Sequence, residues 1–150
     1  MGVILVVLGA LALVLAAVAV WMRVMPEAAD RFHAWPAGET RREWTEPGGY
    51  GRVVRVTGPE AFAEFDRIIR ATPRTEWVAG SVDKGRVTYI TRSAVFGFPD
   101  YATVEYRAGD TPEIAIYSRL RVGKSDLGVN KARVLGWLAA LKQAGFLAEP

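Results

Sequence analysis

Between Ser118 and Arg133 the chain reads Ser-Arg-Leu-Arg-Val-Gly-Lys-Ser-Asp-Leu-Gly-Val-Asn-Lys-Ala-Arg, and it is here that residue type and spacing could do chemistry. Arg119, Arg121, Lys124, Lys131 and Arg133 set five positive charges against Asp126 alone. Outside the stretch stand fourteen of the nineteen basic residues and fifteen of the sixteen acids, so the net charge of +3 originates inside it. Arginines two apart on a strand project from one face. A helix starting just beyond them would add unsatisfied N–H groups and the positive end of its dipole. Arg119, Arg121, Lys124, Ser125, Asp126, Asn130 and Arg133 are therefore candidate ligands for an anion such as phosphate, a carboxylate or an anionic lipid headgroup.

The same residues also read as turn and cap chemistry. Gly123 and Gly128 allow backbone angles that a tight strand-to-helix turn requires, and Ser125 or Asp126 suits a helix N-cap. On that reading the arginines are exposed, or pair with acids such as Glu105, where surface ion pairs contribute only about 0 to 1 kcal/mol. Both readings remain open at the level of the sequence.

Other chemistry is poorly provided for. The chain has no cysteine, so it can form no disulfide, thiolate zinc site or cysteine nucleophile. His33 is the one histidine; without partner ligands it is expected to be partly buried and hydrogen-bonded rather than to hold a metal. Asp100 or Asp126 could move a proton, but a carboxylate beside arginines is held ionised and donates poorly near neutrality. Ser93, Ser118 and Ser125 have no base in the same part of the chain. A catalytic role, a metal and a cofactor are thus not expected. The pI near 9.4 comes from one small cluster with no accompanying recognition motif, which argues against nucleic acid as a partner.

The elements that must position these residues follow from periodicity. Arg52 to Thr57 is β-branched and reads as a strand. Pro59 then opens a helix with Phe62, Phe65, Ile68 and Ile69 on one stripe, ending before Pro73. Trp77–Val82, Arg86–Phe96, Tyr101–Arg107 and Glu113–Val122 alternate with period two and are separated by Gly- and Asp-rich turns, which predicts a four-stranded antiparallel meander. In its last strand Ile114, Ile116, Leu120 and Val122 share a face interrupted by Ser118, leaving Tyr117, Arg119 and Arg121 on the other. A final helix over 126–144 buries Val134, Trp137, Leu138 and Leu141. The order β-α-β-β-β-β-α predicts an α+β two-layer sandwich with both helices on one face of an antiparallel sheet. Phe62, Phe65, Trp77, Trp137 and Leu138 are expected to fill its core rather than leave room for an apolar ligand.

Ahead of this domain, Val3 to Met22 is twenty residues without a charge, which as a helix at about 1.5 Å per residue would span roughly 30 Å, the thickness of bilayer hydrocarbon. It is expected to be an uncleaved membrane anchor over residues 1–25, because the run exceeds a signal peptide's apolar region and has no basic stretch before it. Arg23, Arg31, Arg41 and Arg42 follow it, a bias that favours a cytoplasmic domain. Residues 26–50, with Pro26, Pro36, Pro47, Gly38, Gly48 and Gly49, read as a juxtamembrane arm. Its Phe32, Trp35, Trp44 and Tyr50 are expected to pack on the domain or the membrane surface. The domain proper is expected over 51–147.

The order Ser118 to Asn130, followed by Arg133, resembles the signature of the uncharacterised domain-of-unknown-function family numbered fourteen-ninety-nine, found in proteobacteria, cyanobacteria and plastids. Arg92-Ser93-Ala94-Val95-Phe96-Gly97-Phe98-Pro99-Asp100 is similar to that family's second block, and Arg31-Phe32-His33 with Pro36 to a weaker one. The resemblance runs from Phe32 to Leu141. Here Leu120 stands where a second serine is common and Trp35 where an aspartate is common. The resemblance implies domain limits, a bacterial inner membrane as the setting and importance for the turn, but no reaction. The expected function is therefore a membrane-anchored, non-catalytic domain that binds a small anion or lipid headgroup at the basic turn. The alternative is a structural or scaffolding partner of a membrane protein, which exposed Trp35 and Trp44 would favour.

Overall fold

In the computed structural model, residues 1–148 are described. Helix α1 (Gly2–Val24) carries the apolar run and none of it is buried against the rest of the chain. A single helical turn, α2 (Ala29–Phe32), follows. Six strands then form one antiparallel sheet: β1 (Glu43–Glu46), β2 (Gly49–Arg55), β3 (Thr75–Ser81), β4 (Arg86–Arg92), β5 (Pro99–Arg107) and β6 (Glu113–Leu120), in the spatial order β1-β2-β6-β5-β4-β3. Helix α3 (Glu60–Arg70) carries the chain from β2 to the opposite edge strand β3, and α4 (Val129–Gln143) follows β6. The architecture is α+β with an open sheet.

Both long helices lie on one face. There Phe62, Phe65 and Ile69 of α3 and Val134, Trp137, Leu138 and Leu141 of α4 meet Tyr50, Val87, Tyr89, Val104, Ile114 and Ile116 of the sheet, all buried. The helical stripes read from i, i+3 and i+4 spacing are thus the ones that face the core. Trp77 is the exception: it sits on edge strand β3, is 49% exposed and donates its indole N–H to the Gly80 carbonyl at 2.9 Å.

The second face of the sheet is also covered, by residues expected to form an arm. Phe32 stacks on Tyr101 at 4.1 Å between centroids, and with Val78 and Ile90 makes a second buried cluster. Residues 43–50 are not linker but sheet. Trp44 pairs with Gly51 in the β1–β2 hairpin and is 5% exposed, and Gly51 has no side chain because a Cβ there would enter the indole. Trp35 packs edge to face against Trp44 and Tyr117, which are tilted against each other beside it. β1 is hidden in the sequence because it is only four residues long and bounded by Pro47 and Gly48, where alternation cannot develop.

Strand ends move for local reasons. β4 stops at Arg92 because Ser93 closes a small loop: its N–H donates to the Phe98 carbonyl at 3.0 Å and its Oγ accepts the Phe98 N–H at 2.9 Å, with Gly97 at φ 74°. α4 begins at Val129 rather than at Asp126, because Gly128 adopts φ 83° just before it.

Candidate functional site

The basic stretch leaves β6 at one end of the sheet, the end reached by the last turn of α1. Arg92 donates to the Met22 carbonyl at 2.6 Å, and Arg23 donates to the Val95 carbonyl at 2.7 Å. The residues predicted to converge on an anion divide between the two faces there. On the far face, Arg119 Nη2 donates to the Phe32 carbonyl at 2.8 Å and its Nη1 to the Tyr117 carbonyl at 3.2 Å and Thr103 Oγ1 at 3.3 Å. Its guanidinium lies over the rings of Tyr117 and Phe32, 4.4 and 4.9 Å from their centroids. Arg121, two residues on, donates to the Pro26 carbonyl and to the Tyr101 hydroxyl. The alternation that puts both on one face was legible, but their expected exposure is corrected. Arg119 is partly buried and bonded to backbone, because Phe32 folds over that face. Neither pairs with Glu105, which binds Arg86 at 2.5 Å and Arg107 at 3.6 Å.

On the helix face, Arg133 of α4 binds Asp100 Oδ2 at 3.0 Å and Asn130 Oδ1 at 2.8 Å. Burial nevertheless pushes the Asp100 carboxyl up, with Arg133 offsetting only part of it, since desolvating a carboxylate costs more than one imperfect ion pair returns. At the helix start Asp126 takes two of the N–H groups: its Oδ1 accepts the Gly128 N–H at 3.0 Å and its Oδ2 the Asn130 N–H at 2.7 Å. Burial would raise the Asp126 carboxyl, but these N–H groups outweigh it and hold it below its ordinary range. Ser125 Oγ accepts the Leu127 N–H at 3.3 Å. Cap and turn chemistry thus accounts for Ser125, Asp126 and Gly128, with the capping carboxylate two residues ahead of the N-cap position, Gly128.

Lys124, at the tip of the turn, is exposed and makes no hydrogen bond or ion pair among the described residues. It lines an open cleft of about 460 Å³ with Arg31, Phe32, Glu46, Gly48, Tyr117 and Arg119. Three cations meet one acid there, and Glu46 is engaged by the Tyr117 hydroxyl. Among the described residues Arg119 has no carboxylate within ion-pair distance; burial lowers its pKa to about 10, so it stays charged at neutral pH. Arg31 was missed as a site residue. Its only sequence signal was membership of the Arg31-Phe32-His33 block. His33 is partly buried and shares a hydrogen bond of 2.9 Å between Nδ1 and Thr88 Oγ1. Among the described residues no group of three His, Cys, Asp or Glu could hold a metal.

A family model described as "Protein of unknown function (DUF1499)" matches residues 41–141, two thirds of the chain. The chain belongs to the DUF1499 family. No curated protein matches it. The two DUF1499 signature blocks, far apart in sequence, meet at this end of the sheet. Asp100 binds Arg133, and the Arg121 N–H donates to the Pro99 carbonyl at 3.1 Å, while Ser118 binds Asn130 at 2.5 Å within the Ser118–Arg133 block. Between them lies a second open groove of about 340 Å³ lined by Ser93, Phe98, Asp100, Leu120, Val122 and Val129 among others. Asp100, Pro99, Arg121 and Arg133 thus hold the two blocks together.

Proposed function

We propose that this DUF1499 chain is a membrane-anchored, non-catalytic domain that binds an anion with phosphate chemistry at the bilayer surface, in the cleft of Arg31, Arg119 and Lys124. The anchor is α1, which has a mean hydropathy of 3.2 and could cross a membrane by its length and composition. The observation that carries the anion reading is Arg119. Its guanidinium is held in place by carbonyl oxygens, which bear no charge, and it faces a cleft whose other cations, Arg31 and Lys124, also have no acid partner among the described residues. A fixed arginine beside two exposed cations suits a phosphate, which can take the planar donor pair of one and the point charge of another. The site is thus a subset of the basic stretch, Arg119 and Lys124, completed by Arg31 from the juxtamembrane segment. Arg121 and Arg133 are tied elsewhere.

Thermal unfolding of the full-length protein in a neutral detergent, at matched ionic strength, tests this with two probes: inorganic phosphate and a short-chain phosphatidylglycerol. A ligand at a hundred times its dissociation constant stabilises by about 2.7 kcal/mol. Stabilisation by either probe that disappears in Arg31→Gln/Lys124→Gln supports the reading, and the stronger probe identifies the source. A flat response to both overturns it and leaves the scaffolding role. Trp44, whose exposure would have favoured that role, is buried.

A further inference from the structure

The loop Ser93–Phe98 and the turn Val122–Val129 are rimmed by apolar side chains that the fold leaves outside. Leu127 is 94% exposed and Val95 72%, and Phe98 and Val129 are exposed as well. Leu127 is also held at φ 53°, a left-handed conformation that costs a branched L-residue energy and that glycine would accept freely. Packing does not explain a large apolar residue at such a position, because Leu127 has almost no neighbours. The two segments stand on either side of one groove, whose floor is Leu120 and Val122.

The place of this rim relative to α1 supplies what covers it. Arg23, the one basic residue in the last turn of α1, grips the Val95 carbonyl, and Arg92, immediately before the loop, grips the Met22 carbonyl. Arg121, which opens the turn, holds Pro26, two residues past the end of α1. A helix that leaves the bilayer at Trp21 to Arg23 therefore brings both segments to the level of the headgroups. Apolar tips ringed by Arg23 and Lys124 are the composition of a surface that enters the interfacial layer.

We infer that the 93–98 loop and the 122–129 turn seat the domain on the same bilayer that α1 crosses, with Val95, Phe98, Leu127 and Val129 immersed in its interfacial region. The inference rests on the anchor reading of α1. It deepens the proposed function: the seat sets the basic cleft at the depth of lipid phosphates, so that Lys124 and Arg31 face them.

The chain has no cysteine, so single nitroxide labels can be placed without a background. Val95→Cys and Leu127→Cys probe the seat, Val14→Cys probes α1, and Asp110→Cys marks the β5–β6 turn at the opposite end of the sheet. Full-length protein is reconstituted in liposomes of phosphatidylcholine and phosphatidylglycerol. The accessibility of each label to oxygen, which concentrates in lipid, is compared with its accessibility to a nickel chelate, which stays in water. The expected result is an oxygen-dominated ratio at positions 14, 95 and 127 and a nickel-dominated ratio at 110. Positions 95 and 127 behaving like 110 while 14 remains oxygen-dominated overturns the seat and leaves the anchor standing. Nickel dominance at 14 as well removes the anchor and the seat together. Positions 95, 110 and 127 are exposed, so the labels do not disturb packing.

Discussion

Ser118 Oγ donates to Asn130 Oδ1 at 2.5 Å, and both residues are fully buried. This bond joins the end of β6 to the first turn of α4, and Arg133 adds a second donor to the same amide oxygen. Ser118, which interrupts an otherwise apolar face in the sequence, is therefore the residue that sets the register of the helix against the strand.

Ser118→Ala is expected to cost about 1 kcal/mol, the net value of one neutral hydrogen bond. Asn130→Ala is expected to cost more, about 2 to 3 kcal/mol, because it leaves the serine hydroxyl and one N–H of the Arg133 guanidinium unpaired away from water, Asp100 keeping the other. A double-mutant cycle followed by thermal unfolding checks the pair. Coupling above about 0.5 kcal/mol is expected, and strictly additive losses would remove Ser118–Asn130 as a lock.

Arg119→Gln should destabilise the domain by about 2 kcal/mol, since it removes charged donors from the Phe32 and Tyr117 carbonyls and the plate between their rings. Arg119→Lys should recover only part of this, because an ammonium cannot lie flat between two rings. Arg121→Gln, at a more open position, should cost less than about 1 kcal/mol. Denaturant titration of the three variants orders them, and a loss at Arg119 no greater than at Arg121 would show the juxtamembrane segment to be loosely held.

His33 gives the chain a pH dependence on its acid side. Burial first, then the positive charges of Arg86 and Lys84, hold its imidazole below the ordinary histidine value, with Glu105 acting the other way. A base whose folded pKa is depressed contributes stability that is present above its unfolded value of about 6.5 and is lost as the pH falls through the folded value. The wild type should therefore soften as the pH falls below about 6.5, whereas His33→Gln, which can still bond Thr88, should not. Melting temperatures across that range decide it; parallel curves for the two proteins would mean that the ring is not desolvated.

Much of the local structure was legible because it depends on neighbours in the chain. The buried stripes of α3 and α4, the four strands of the meander and the face shared by Arg119 and Arg121 all follow from periods of 3.6 and 2. The length of α1 follows from its unbroken apolar run, and the signature turn could be read as cap chemistry from Asp126 and Gly128. What covers each face could not be read that way. The Arg119 guanidinium meets the Phe32 carbonyl across 87 residues, Asp100 meets Arg133 across 33, and the cleft at Lys124 is completed by Arg31. No periodicity encodes contacts between segments so far apart. Whether a basic side chain points to water, to a carbonyl or to a carboxylate was decided only when Phe32 and Trp35 closed over the second face of the sheet. Burial then assigned the arginines, because a desolvated guanidinium must take whatever acceptors the packing brings to it.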